Sequence, residues 1–197
     1  MTDEQQRIRN YLQAQGAKQT PGEIIAKVEA AMADLATAAR AVPAARFAER
    51  PEPEEWSANE VLAHVVAADT YFGGSIVAIL EGRPAPPRGS GRGNENAPRR
   101  AGSEWLEMLQ KQRQTLFDRV RAAEPNARLD VTIDHPFFGP LNWREALLFT
   151  RLHDLDHAGQ LAKIAAAFGA APVQSAPAPT QPPAPTQPSA QTRAPAS

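Results

Sequence analysis

The chain contains no cysteine. That removes disulfides, thiolate metal sites and thiol nucleophiles together, and it fits a reducing compartment. No sign of charge dominates: 21 Lys and Arg stand against 22 Asp and Glu, a formal net charge of −1. Bulk attraction to nucleic acid is therefore not what this composition is built for. No run reaches the roughly 18 consecutive apolar residues that span a bilayer. The opening M-T-D-E-Q-Q-R-I-R-N lacks the apolar core of a secretory signal. A cytoplasmic protein with no membrane partner is the expectation. At 197 residues the length points to one domain.

What is present is helical periodicity, in four segments. Thr20-Pro21-Gly22-Glu23 combines a capping box with Pro at the first helical position. Behind it Ile24, Val28, Met32, Leu35 and Ala39 recur at helical spacing until Pro43. Ser57 and Glu60 form a second capping box, with Trp56 placed to staple onto Val61. The stripe that follows is Val61, Val65, Ala68, Phe72, Ile76 and Ile79, and Gly82 and Pro84 end it. A third helix begins near Ser103, with Trp105, Leu109, Gln112, Leu116 and Val120 on its bundle face. The fourth opens at Asn142 with Glu145 three residues on, and runs to Phe168 and Gly169. Its inward face reads Thr150, His153, His157, Gln160 and Ile164, beside a stripe of Leu148, Leu152, Leu155 and Gly159.

These segments predict an all-α protein, a four-helix bundle with long connections, over residues 20–170. Residues 1–19 form an N-terminal extension that can carry a short helix through Ile8, Tyr11 and Leu12. Residues 82–100 form a loop with five arginines, and 126–141 a partly extended crossover with a β-prone run from Leu129 to Ile133. Residues 171–197 are Pro, Ala, Gln, Ser and Thr with almost no bulky apolar group. Such a segment cannot bury enough surface to offset its ordering entropy, and is expected to be a disordered tail.

Three of the four histidines fall where helices can aim them inward: His64, His153 and His157. Residues four apart on a helix differ by about 40° in direction and about 6 Å in height. His153 and His157 can therefore reach one ion at about 2.0–2.1 Å, with His64 arriving from the second helix. Three imidazoles without an obvious fourth ligand would leave an open position, the arrangement of a catalytic site. The other reading is three hydrogen-bonded core histidines, and spacing alone does not decide between the two.

W-S-A-N-E-V-L-A-H, followed later by H-P-F-F-G-P-L-N-W-R-E-A-L-L-F-T-R-L-H-D-L-D-H-A-G-Q-L, resembles the DinB/YfiT-like superfamily of metal-dependent four-helix proteins. The resemblance spans about residues 20–168. It implies that His64, His153 and His157 bind a divalent metal in the bundle core, Zn, Ni, Fe or Mn. It also implies a hydrolase or a small-thiol-dependent S-transferase acting on a small molecule. A low-molecular-weight thiol would have to be supplied from outside, since the chain has none. Homodimers are common in such families. The alternative is a non-catalytic metal-binding or stress-response interaction domain.

Other residues carry weaker expectations. Gln160, one turn beyond His157, either hydrogen-bonds a ligand histidine or a metal-bound water, or faces a neighbouring helix. Asp154 and Asp156 turn away at steps of about 100° and are expected in solvent or paired with Arg151 and Lys163. Asp69 is expected at the surface, with contact to the ligand histidines as the alternative, and His135 in a turn, with the pocket mouth as the alternative. Trp56, Trp105 and Trp143 read as staple and core residues. Loop 82–100 has two readings: its arginines attract an anionic substrate, a thiol cofactor's carboxylates or nucleic-acid phosphates, or it is a linker with a role in gating; the linker is favoured, because no interleaved aromatics stand ready to stack on bases. No general base or other catalytic residue can be named.

Overall fold

A computed structural model of the chain describes residues 1–87 and 97–170. The expected tail, 171–197, and the middle of the arginine-bearing loop, 88–96, lie outside the described residues. The elements are α1 (Asp3–Lys18), α2 (Pro21–Ala41), a 3-10 turn (Ala44–Arg46), α3 (Ala58–Leu80), α4 (Gly102–Ala122), β1 (Thr132–His135), β2 (Gly139–Asn142) and α5 (Trp143–Ala167). At the starts of α2, α3 and α5 the cap side chain accepts from the third helical amide, and the glutamate there reaches back to the cap N–H. These are the three starts legible in the sequence. Ala101, before α4, has no capping side chain, and only the return bond from its N–H to Glu104 is made, at 2.8 Å.

Helix α2 packs on α5 and α4, and α3 packs on α4 and α5. The four therefore form a ring in the order α2, α5, α3, α4. Helix α3 is long and apolar enough to cross a membrane by length and composition, but most of it is buried within the bundle, and it carries the buried Glu60 and Asp69. Helix α1 lies along α5. Its Leu12 is fully buried in the main core, and Gly16 sits so close that a Cβ there would stand 3.1 Å from Glu145 Cγ.

The crossover before α5 is a two-stranded antiparallel hairpin, with Ile133 opposite Leu141 and His135 opposite Gly139. The strand begins three residues later than the β-prone run. Its turn closes on Gly139 at φ +71°, a left-handed conformation that favours glycine. Trp143, fully buried, donates from Nε1 to the Ala127 carbonyl at 2.7 Å and holds this connection against α5.

The apolar core comes in two parts. One gathers Leu12, Ile24, Val28, Phe72, Ile76 and Leu116. The other gathers Leu35, Val61, Leu62, Trp105, Leu109 and Leu161. Between them runs a polar layer. Asp69 and Asp154, expected at the surface, are buried in it, and so is Arg113. Arg113 of α4 donates from Nε to Asp69 Oδ1 of α3. Its two terminal nitrogens donate to both Asp154 oxygens of α5, at 3.0 and 3.1 Å.

The layer explains a second departure from the sequence reading. The buried stripe of α5 runs Leu147, Thr150, Asp154, His157, Leu161 and Ile164. Leu152 and Leu155 are half-exposed and Gly159 is exposed. With Asp154 facing inward on the bidentate bond to Arg113, only Leu148 of the second stripe is fully buried, and its later members turn toward the surface.

Removing one member of a buried ion cluster strands the others, whereas replacing the whole cluster by apolar groups can be neutral or stabilising. Arg113→Met should therefore cost about 3–5 kcal/mol at neutral pH. The triple replacement Asp69→Leu, Arg113→Met, Asp154→Leu should regain most of that loss. Urea unfolding of the two variants checks this; equal stability of Arg113→Met and wild type would contradict it.

Candidate metal centre

Helices α3 and α5 bring the three histidines together just beside the polar layer. Their available nitrogens all lie within 4.8 Å of one another. His153 Nε2 is 3.1 Å from His64 Nε2 and 3.2 Å from His157 Nε2. His157 is buried, while His64 and His153 are half-buried. Among the described residues no Asp, Glu or Cys joins the cluster.

Proton bookkeeping shows what this arrangement suits. His157 Nδ1 lies 2.9 Å from Gln160 Oε1. An amide oxygen only accepts, so Nδ1 carries the proton and Nε2 presents a lone pair. His153 Nε2, if protonated, can donate to that lone pair, but it then has nothing to accept with toward His64. If unprotonated, it can accept from His64, but it then meets the His157 lone pair with its own. One nitrogen in neutral rings completes one of these two contacts and not both. Reversing the Gln160 amide leaves the same conflict, with two protons facing one lone pair. A cation shared by three lone pairs resolves it. Two imidazole nitrogens at about 2.0–2.1 Å from one ion stand about 2.9–3.4 Å apart for ligand angles between a right angle and tetrahedral. The two observed spacings fall in that interval, so the residues fit a divalent ion.

Protonation does not relieve the conflict near neutral pH. Burial, with His157 beside it, pushes His64 down to about 4. Burial holds His153 well below the ordinary imidazole range, and the neighbouring His157, His64 and Arg113 add to the effect. Both rings are therefore neutral at pH 7, the form that binds metal. The polar layer behind them is itself poised: burial raises Asp69, and raises Asp154 to about 6, against the opposing pull of Arg113.

His64, His153 and His157 converge, and Gln160 takes the first of its two expected roles, as the partner of His157. His135 is not simply a turn residue. It sits on β1, buried, stacked on Phe138 at 4.5 Å with its ring edge on Phe149, and its Nδ1 accepts from the Phe137 and Phe138 amides at 3.2 Å. Phe149 in turn stands 5.6 Å from the His153 ring. Trp105 and Trp143 are core residues as expected, but Trp56 does more than staple. Its half-buried indole lies 5.2 Å from the His64 ring. It also helps bound a cavity of about 490 Å³ together with His157, Gln160 and Ile164. Of the described loop arginines, Arg83 pairs with Glu81 and Arg100 lies over Trp105.

Comparison with known proteins adds the family. The model of the DinB superfamily matches residues 27–161, more than half of the chain and a span that contains all three histidines and Gln160. The chain belongs to the DinB superfamily. Among solved structures, "Crystal structure of TT2238, a four-helix bundle protein" is similar in fold, with a TM-score of 0.54 at 22% identity, covering 72% of this chain and 98% of that one. No curated protein matches. Membership in the DinB superfamily and the four-helix neighbour agree with the fold expected from the helix starts.

The depressed imidazoles give a pH prediction for the metal-free protein. The unfolded chain protonates a histidine near pH 6.5, but the folded chain resists protonating His64 until about 4. The contribution of His64 to stability is therefore full above about pH 6.5 and is lost as pH falls toward 4. Asp154 has the opposite sign, contributing most below the ordinary carboxylate range and losing its contribution as pH rises through about 6. Because the two overlap in a melting curve, an NMR titration of the imidazoles separates them. The His64 ring should titrate with a midpoint near 4 in chelated protein; a midpoint near 6.5 would contradict the assignment.

Proposed function

We propose that this chain is a divalent-metal-dependent enzyme of the DinB type, a hydrolase or a small-thiol-dependent S-transferase, with His64, His153 and His157 as the metal ligands. The observation that carries the reading is the shared nitrogen of His153, whose two close contacts neutral imidazoles cannot both satisfy. Family membership supports it, although fold and family constrain the metal more than the reaction.

A divalent ion held by three neutral imidazoles supplies Lewis acidity toward a substrate oxygen or sulfur at an open position. The chain's own residues have narrower tasks. Gln160 fixes the His157 ring and directs its Nε2 inward. Asp154, between the two ligands of α5, ties that helix to α4 through Arg113, and Asp69 ties α3 to the same guanidinium. The ligand-bearing helices are thus held in register by one group. With no cysteine in the chain, any thiol nucleophile is a second substrate. The carboxylates that line the adjoining cavity are Glu54 and Glu55, and a proton acceptor would be sought there first.

Elemental analysis of protein purified without a histidine tag, beside His64→Ala, tests the reading. About one metal ion per chain, lost in the variant, is expected. Absence of metal from the native protein, with no uptake on titration with zinc, nickel, iron(II) or manganese, would overturn it.

A further inference from the structure

Next to the three histidines lies a cavity of mostly polar lining with one flat apolar face, the indole of Trp56. Trp56 is the residue before the cap of α3, and a staple would bury it. Instead its indole is only half-buried. It packs at its edge on the second part of the core and stands tilted against the His64 ring, 57° between planes. The same cavity is lined by His157 and the aliphatic face of Ile164. Its volume of about 490 Å³ is enough for a small organic molecule. The charges that line it, Glu54, Glu55 and Lys163, are of both signs and exposed. Two carboxylates against one ammonium leave a net charge of −1, carried on exposed side chains that water and salt screen. Among these lining residues only Trp56 offers a ligand a large flat apolar face.

We infer that the substrate of the histidine centre carries an aromatic or similarly flat apolar group, which lies against Trp56 while its polar function faces the three histidines. This rests on the metal-site reading proposed above. Ring–ring contact and exclusion of water from the indole face supply the preference. In this arrangement Trp56 is a specificity-determining residue and not a metal ligand. An ion held by the histidines would take the polar function shared by every substrate, and the indole chooses the group attached to it.

Two hydroxamates test this, because both chelate a metal with open positions and they differ by phenyl against methyl. Binding of benzohydroxamate and acetohydroxamate to the zinc-loaded full chain is measured by calorimetry, for wild type, Trp56→Leu and Trp56→Ala, with folding checked by circular dichroism. Benzohydroxamate should bind wild type about tenfold or more tightly than acetohydroxamate. In Trp56→Leu, which keeps an apolar staple but not a flat face, the preference should fall severalfold, and acetohydroxamate affinity should stay within about twofold. Should Trp56→Ala fail to fold, the leucine variant alone decides. Zinc binding with no preference for the phenyl compound, or with a preference that the variants leave unchanged, would overturn the inference and leave the metal site standing. Failure of wild type to bind zinc at all would overturn the metal site and the inference with it.

Discussion

A guanidinium held between two carboxylates in the middle of a helical bundle constrains almost everything around it. Arg113 cannot reach solvent, so its donors must be met inside the protein. Asp69 and Asp154 meet them from two different helices. The cost of desolvating such a cluster is high, and an apolar layer of similar volume would serve stability as well or better. What the cluster supplies is orientation. It fixes the rotation of α3 and of α5 against α4 at a single level of the bundle. The apolar core divides around it into two parts.

The histidines depend on that rotation. His153 and His157 lie on either side of Asp154 on α5, and His64 lies little more than one turn before Asp69 on α3. If Asp154 faces inward, His157 is buried beside it and His153 is carried to the edge of the α3–α5 contact. Their nitrogens then meet that of His64. The half-exposure of His64 and His153 follows from the same geometry, because the centre sits at the seam between two helices. Trp56 lies beyond His64 at one end of this seam, and Phe149 beyond His153 at the other. The three histidine nitrogens are thus bounded by rings along the helices, with the adjoining cavity on the side of His157.

Much of this was legible in the sequence, and the parts that were not have physical reasons. Capping boxes at Thr20, Ser57 and Asn142 mark three helix starts because the bonds that make them are local. The pairing of His153 with His157 was legible because spacing on a helix is also local, whereas His64 joined them through the family resemblance. The polar layer was not read, although its signal is present. Asp69 falls in the apolar stripe between Val65 and Phe72, and Arg113 in the stripe between Leu109 and Leu116. A charged residue on an apolar face is costly unless paired, and the pairing partners here lie 41 to 44 positions apart. Taken one at a time each looks like a surface charge. Asp154 misled further, because the neighbouring leucines at 152 and 155 offered a stripe of their own. Burial of α1 was similarly hidden, since one leucine and a close-packed glycine, Leu12 and Gly16, dock it on α5. The fold and the candidate histidines are matters of pattern, whereas the layer that aims those histidines is a matter of three-dimensional pairing.

The measurement that most directly tests the account is anomalous diffraction from a crystal of the full chain grown with zinc and collected at the zinc edge. The account predicts one strong peak between the Nε2 atoms of His64, His153 and His157, with the Arg113 cluster intact behind it. A peak located elsewhere, or none at the triad while its histidines keep their present spacing, would contradict it.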